Sequence, residues 1–454
     1  MNGATTEAAV ASNTWIALSD PTRAGDEMYA LAQRLYPICR SITGDGVRQT
    51  LAVLRERVPL EIREVASGTP VFDWTVPKEW NIRDAYIKNS RGERVVDFHQ
   101  SNLHVVNYSS PVRTKMRLAE LRSHLHSLPE QPRWIPYRTS YYSESWGFCL
   151  AHEDLVALAD DEYEVCIDST LRPGSLTYGE YALAGSLQDE VLIYTHTCHP
   201  SLANDNLSGL AVVTLLAQHV AAIPRRYSYR FIFGPGTIGS ITWLSQNENH
   251  LGRIRHGLVV ALVGDSGPFT YKRSRRGDAE IDRIAVRALR DDDAPWSAVD
   301  FEPYGYDERQ FCSPGVNLPV GRLTRTSNGA YPEYHTSADN LDLITPRALV
   351  ESLAACLRVV NMLENNRYYV NTSPKGEPQL GKRGLYRKSG GQRDVGQREY
   401  ALLWVLNLSD GEHSLLDISE RSDLAFETIH AAARDLAAAG LLVPAPRDHR
   451  EEER

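Results

Sequence analysis

Thr195-His196-Thr197-Cys198-His199-Pro200-Ser201-Leu202-Ala203-Asn204-Asp205-Asn206-Leu207-Ser208-Gly209 is the stretch whose reading decides the fold. An apolar run, Val191-Leu192-Ile193-Tyr194, precedes it, and a longer one, Leu210 to Val220, follows. The first reads as a buried strand and the second as a helix laid on a sheet. Two imidazoles and a carboxylate therefore fall between the carboxyl end of a strand and the start of a helix, the edge where open α/β sheets bind ligands. Neutral imidazole and ionised carboxylate are also ligand types that zinc takes. His196 leaves the strand end. Asp205 precedes the helix start, where the helix dipole favours an anion, and Ser208-Gly209 allows close backbone approach. Asn204 and Asn206 are placed to hold that carboxylate from behind. A capping Asp and two ordinary loop histidines are the plain alternative, but His-x-x-His with a nearby Asp at such a turn favours a metal.

Outward from this stretch, strands and helices alternate between residues 179 and 370. The pattern predicts strands at 191–195, 228–233, 257–263 and 316–323, and helices at 208–222, 238–249, 279–290 and 345–364. Such alternation implies an α/β fold with a mixed, largely parallel sheet flanked by helices. Two further groups fall at chain positions suited to the same edge. Asp265 follows the apolar run Leu258 to Val263, flanked by Gly264 and Gly267-Pro268 as a turn, so a solvated turn residue is as good a reading as a ligand. His335 lies in Pro332-Glu333-Tyr334-His335-Thr336-Ser337-Ala338-Asp339-Asn340, before a helix. The two polar stretches read as halves of one metal site.

The remainder divides by texture. Residues 24–57 keep helical spacing, broken by Ser41-Ile42-Thr43-Gly44-Asp45-Gly46. Residues 70–178 carry aromatic and β-branched residues in short runs cut by Pro and Gly, a β-rich insert. The α/β domain is then expected from 22–69 and 179–370. Residues 371–396 read as a linker, and 397–446 as a winged helix-turn-helix. That last unit holds Arg398, Arg421 and Arg434 against eight acids between Glu399 and Asp435. Phosphate contact needs the opposite sign, so a packing or dimer module is expected, with homo-oligomerisation through it.

Composition narrows the class. The chain has 454 residues and a formal net charge of -9, which disfavours general binding to nucleic acid or anionic membranes. Met1 to Asn13 lacks an apolar signal core, no apolar run reaches bilayer length, and a cytoplasmic location is expected. The six cysteines are scattered with no CxxC pair, against a disulfide framework. Cys198 and Cys312 lie near the proposed site, but packed thiols are the expected reading.

These residues resemble the aminopeptidase-like zinc hydrolases, the clan of bacterial leucyl aminopeptidase and glutamate carboxypeptidase. Within it the chain is most similar to an uncharacterised bacterial branch that joins a zinc-peptidase domain to a β-rich insert and a C-terminal winged helix. The branch often occurs near polysaccharide or natural-product biosynthesis. The resemblance spans nearly the whole chain and rests on His196-Thr197-Cys198-His199-Pro200, Asn204-Asp205-Asn206-Leu207-Ser208-Gly209, Asp307-Glu308-Arg309-Gln310 and Tyr334-His335-Thr336-Ser337. It implies one or two zinc ions held by His196, Asp205, Asp265 and His335. The clan also carries two adjacent glutamates before a Gly-Ser helix start, one a general base and the other a ligand. The corresponding stretch here is Phe233-Gly234-Pro235-Gly236-Thr237-Ile238-Gly239-Ser240, which has neither. The base is then expected at Glu308, with Asp307 and after it Glu333 as substitutes. Asp307 and Glu308 are also suited to gripping a substrate amine. His199 is placed to replace the missing ligand or to donate a hydrogen bond to an oxyanion. Glu333, Tyr334 and Arg273, the last in the basic run Tyr271 to Arg276, are expected to meet the substrate.

Three functions follow in order. The first is a zinc-dependent aminopeptidase-like hydrolase cleaving an amide bond in a small peptide or aminoacylated metabolite. The second is a catalytically impaired relative that binds a peptide or sugar conjugate or serves assembly. The third, disfavoured by the acidic winged helix, is a DNA-binding regulator.

Overall fold

The computed structural model describes residues 15–385 and 395–445. Residues 446–454, the N-terminal segment up to Asn13 and residues 386–394 of the expected linker lie outside the described residues. The chain forms two compact units, one of residues 16–282 with 294–357, the other built on residues 283–293 and from 358 onward.

The larger unit is organised by an eight-stranded sheet. Its strands run, in spatial order, Glu61–Ala66, Ser175–Leu183, Ser228–Gly234, Glu190–His196, Ile254–Val260, Val320–Thr324, Phe269–Lys272 and Trp296–Val299. The four neighbours from Ser228–Gly234 to Val320–Thr324 are parallel. The two strands before them join antiparallel, as does the contact between Phe269–Lys272 and Val320–Thr324. Every residue of Glu190–His196 is buried, as a strand covered on both faces requires. In register, His196 pairs with Gly234, so the turn after Gly234 stands directly beside the first histidine. Helices Gly209–Ala221, Ile238–Gln246 and Pro346–Asn365 fall where apolar periodicity predicts them. Gly209–Ala221 buries ten of its thirteen residues.

The β-rich segment has its own four-stranded antiparallel sheet, in the order Arg94–Asp97, Glu79–Lys88, Glu162–Arg172, Val112–Arg117. A separate core of Ala85, Ile87, Phe148, Val165 and Ile167 packs against it. The main sheet takes in Ser175–Leu183, so residues 175–178 belong to it rather than to the insert.

In the smaller unit, helices Val395–Leu408, Leu415–Ser422 and Phe426–Ala438 accompany a three-stranded antiparallel sheet. Its middle strand, Tyr368–Asn371, comes from residues assigned by sequence to the end of the α/β domain and the start of the linker. Four residues carry too little periodicity to be assigned a partner from sequence. The helix Leu415–Ser422 begins with a capping box between Ser414 and Asp417, which satisfies two amide donors that the helix leaves unpaired. Among the described residues no helix is long and apolar enough to cross a membrane.

Candidate metal centre

The loop carrying Asp205 is fixed by polar side chains before it becomes helix. Asp205 and Asn206 depart from helical backbone angles, so their amides need partners outside a helix. The Asp339 carboxylate accepts from the amides of Asn204 (2.6 Å) and Asp205 (3.0 Å), and its carbonyl accepts from Ala203 (2.9 Å). Asn206 donates to Thr195 Oγ1 and the His196 carbonyl, and accepts from the Leu262 amide. Gly209 leaves room for this amide group. A Cβ there would lie 2.4 Å from Asn206 Oδ1 and 2.7 Å from both its Nδ2 and Thr195 Oγ1.

Three imidazoles converge on the Asp205 carboxylate. His196 Nε2 lies 2.8 Å from Oδ1, His335 Nε2 3.1 Å from Oδ2, and His199 Nδ1 3.9 Å from Oδ1. Ligand atoms of His196, His199 and Asp205 all lie within 4.8 Å of one another. Asp205 is fully buried. Burial alone would favour its protonated form, but His199, His196 and His335 hold its pKa well below the ordinary carboxylate value. Burial pushes His199 down to about 3, so that imidazole is neutral near neutral pH. Imidazole nitrogens around one ionised carboxylate are a donor set that zinc takes.

Aromatic rings wall this cluster. Tyr306 donates its hydroxyl to Asp205 Oδ2 (3.0 Å) and stacks on the His196 ring. Tyr334 stacks on His335 at 3.9 Å between centroids, with its hydroxyl 3.1 Å from that of Tyr306. Tyr137, from the insert, meets His199 and His335 edge-on. Its segment is joined to the His335 loop by the Tyr137 amide to the His335 carbonyl, and by Ser337 to the Ile135 carbonyl. Behind His199, the buried Arg40 donates to the His199 carbonyl at 2.9 Å.

The expected residues divide sharply by position. His196, Asp205 and His335 come together, and His199 joins them as a fourth member. Asp265 does not join. Its Oδ1 accepts from Thr326 Oγ1 (2.6 Å) and the Gly267 amide (2.7 Å), and its Oδ2 from Asn204 Nδ2 (3.0 Å). It braces the loop behind Asp205, and the group of neighbouring ligand atoms formed by His196, His199 and Asp205 does not include it. Glu308, expected as the base, is turned away as well. Its Oε1 lies 3.1 Å from Lys272 Nζ and 3.4 Å from Arg322 Nη1, with all three residues buried. Its carboxylate is thus held in an ion-pair cluster with Lys272 and Arg322.

Asp307 takes the place beside the histidines. Its Oδ1 accepts from the Thr237 amide (2.8 Å) and Ser240 Oγ (2.6 Å), while its buried Oδ2 has no hydrogen-bond partner. A Cβ on Gly236 would point into this same space, 3.3 Å from Cys198 Sγ, 3.7 Å from His196 Cβ and 3.9 Å from Asp307 Oδ2. The acid missing from the Gly236 turn is thus matched by one from another part of the chain. Burial raises Asp307 to about 6. Cys198 is a buried thiol raised by burial to about 12, accepting from the Gly236 amide, so it packs as expected.

The substrate-facing expectations also separate. Tyr334 lines the cluster. Glu333 supplies its backbone carbonyl to Thr336. Arg273 faces Asp300 (3.6 Å) and the Gly277 carbonyl (3.4 Å), and the inward cation of that run is its neighbour Lys272. Sequence reading passed over Tyr306, Tyr137, Asp339 and Arg40. Two of them stood in view: Tyr306 precedes Asp307-Glu308, and Asp339 closes the His335 stretch.

The sheet, its crossing helices and the histidine-carboxylate cluster at the carboxyl edge define an aminopeptidase-like fold carrying a C-terminal winged helix. The zinc aminopeptidase BSAP of Bacillus subtilis has this fold, with a TM-score of 0.55 and 14% identity over 75% of this chain and 94% of that one. Residues 29–366 match the model of a domain of unknown function, DUF4910, and residues 367–444 match a winged helix-turn-helix. The chain belongs to the DUF4910 family. A relative from Clostridium acetobutylicum, "Putative polysaccharide biosynthesis protein with aminopeptidase-like domain", is 53% identical, covering 94% of this chain and 98% of the relative. A crystal structure of a "putative peptidase" from Clostridium acetobutylicum superposes with a TM-score of 0.89 and 52% identity, covering 93% of this chain and 97% of that one.

Proposed function

We propose that this protein is a metal-dependent hydrolase that cleaves an amide bond in a small peptide or aminoacylated metabolite. The observation that carries it is the convergence of His196, His199 and His335 on one buried, ionised Asp205. These four residues would hold a zinc ion. When bound, zinc supplies Lewis acidity toward a carbonyl oxygen and makes water more acidic. Tyr306, by donating to Asp205, orients that carboxylate. Asp307 accepts the proton of the attacking water at its free Oδ2, a role worth roughly 10²–10⁴-fold in rate. Tyr137 and Tyr334 close the walls and restrict the site to small substrates. The name of the Clostridium acetobutylicum relative supports a biosynthetic setting, and with it an aminoacylated metabolite over a protein substrate.

The test combines metal analysis of the purified chain with an assay on a panel of aminoacyl amides. Zinc is expected to copurify with the wild type and to fall in His335→Ala together with activity. Undiminished hydrolysis by rigorously metal-free protein would overturn the reading. The absence of a glutamate at Gly236 favours one rival, a binding protein without turnover. Tight ligand binding with no hydrolysis in the zinc-loaded wild type would establish that rival.

A further inference from the structure

Below Tyr306 lies a buried charge cluster that the hydrolytic reading does not use. Lys272, Glu308 and Arg322 are each at least 95% buried, and they bring two cations to one carboxylate. Lys272 donates to the Tyr304 carbonyl (2.5 Å) and to Glu308 Oε1 (3.1 Å). In Arg322, Nη1 stands 3.4 Å from Glu308 Oε1, and neither Nη1 nor Nε has a hydrogen-bond partner. Its guanidinium instead lies over the Tyr306 ring, 5.5 Å from the centroid. The chain comes close to this cluster through Gly305 at φ +150°. A Cβ there would lie 2.3 Å from Glu308 Oε1, 2.9 Å from Arg322 Nη1 and 3.1 Å from Lys272 Nζ.

A guanidinium removed from water without acceptors is costly, and breaking even with burial requires that its donors be met. Two cations thus face one carboxylate here, and Arg322 Nε and Nη1 remain unmet, as does Glu308 Oε2, which turns to neither of them. The position of Arg322 selects what meets those donors. The ring of Tyr306 stacks on His196, and its hydroxyl reaches Asp205, so Arg322 stands one tyrosine ring from the candidate metal ligands. We infer that Arg322, supported by Lys272, binds an oxyanion of the substrate, a carboxylate or a phosphate, so that the molecule cleaved is an acidic amide. This rests on the hydrolase reading for what is cleaved, but the anion site itself does not.

Calorimetry on the full chain, as isolated and after EDTA treatment, tests the site apart from catalysis. Glutarate and inorganic phosphate are the anionic probes and glutaramide the neutral one. At least one anion is expected to bind in both preparations, with glutaramide at least tenfold weaker and Arg322→Gln weakening the anion at least tenfold. Preference for glutarate assigns a carboxylate, and preference for phosphate assigns a phosphate ester. Equal anion binding by wild type and Arg322→Gln, or no binding by the wild type, overturns the proposal while leaving the hydrolase reading intact. A wild-type crystal soaked in selenate removes dependence on the variant's folding. Anomalous density within hydrogen-bond reach of Arg322 Nε or Nη1 is expected, and density only elsewhere overturns the assignment.

Discussion

Asp307 and Glu308 are adjacent acids with opposite surroundings. Glu308 faces two buried cations at Oε1; Asp307 faces a serine hydroxyl and a backbone amide at Oδ1, and the second oxygen of each acid has no hydrogen-bond partner. Asp307→Asn keeps the volume and the acceptor that Thr237 and Ser240 use, yet removes the proton acceptor. Its kcat is expected to fall roughly 10²–10⁴-fold with zinc content unchanged. In the wild type, kcat/KM should fall tenfold per pH unit below about 6, where Asp307 becomes protonated. Stability moves the other way. Because the folded pKa is raised, the folded state binds more protons between the ordinary carboxylate value and about 6, so stability declines as pH rises through that window. Asp307→Asn should therefore be more stable than wild type at pH 7, by on the order of 1–3 kcal/mol, as a thermal melt would show. A variant both less active and less stable would mark Asp307 as a structural residue instead.

At the scale of elements, the candidate centre depends on how a loop is held between a strand end and a helix start. Asp339 meets two consecutive amides, those of Asn204 and Asp205, and Asn204 and Asn206 tie the same loop to the chain beyond the strand Ile254–Val260. Asp339→Ala leaves these buried donors unpaired, at a cost of about 1–3 kcal/mol each. We expect a lower melting temperature and a 10–100-fold loss of zinc affinity, measured by competition with a chromogenic chelator. Unchanged affinity in a folded variant would show that the loop is preorganised without it.

At the scale of the whole molecule, the smaller unit carries a titrating group of its own. His430, on the helix Phe426–Ala438, is 8% exposed and stacks with Trp15 and Phe426. Burial, with Arg434 and Arg367 nearby, lowers its pKa to about 4. The unfolded chain then binds a proton that the folded chain does not, so stability is lost as pH falls from about 6.5 to about 4. The loss is on the order of 3 kcal/mol. His430→Leu should flatten the dependence of melting temperature on pH in that window, and an unaltered slope would count against a neutral buried His430. With eight acids and three arginines from Arg398 to Asp435, the same unit should retain no DNA duplex even at low salt.

The sequence by itself determined the alternation of strands and helices, the placement of His196 and Asp205 at a strand-to-helix turn, and the winged-helix helices. Each is written in local periodicity and in the polar residues that end an apolar run. Tertiary structure decided which side chains meet. His199 joins His196 because the turn after the strand folds back, and Asp265 is diverted by Thr326, from a segment about sixty residues away. Asp307 comes to lie beside the histidines and Glu308 against Lys272 and Arg322, because neighbours at a helix start point about 100° apart. Which of the two faces the histidines depends on the angle at which that short helix packs, a relation between distant elements that no local pattern records.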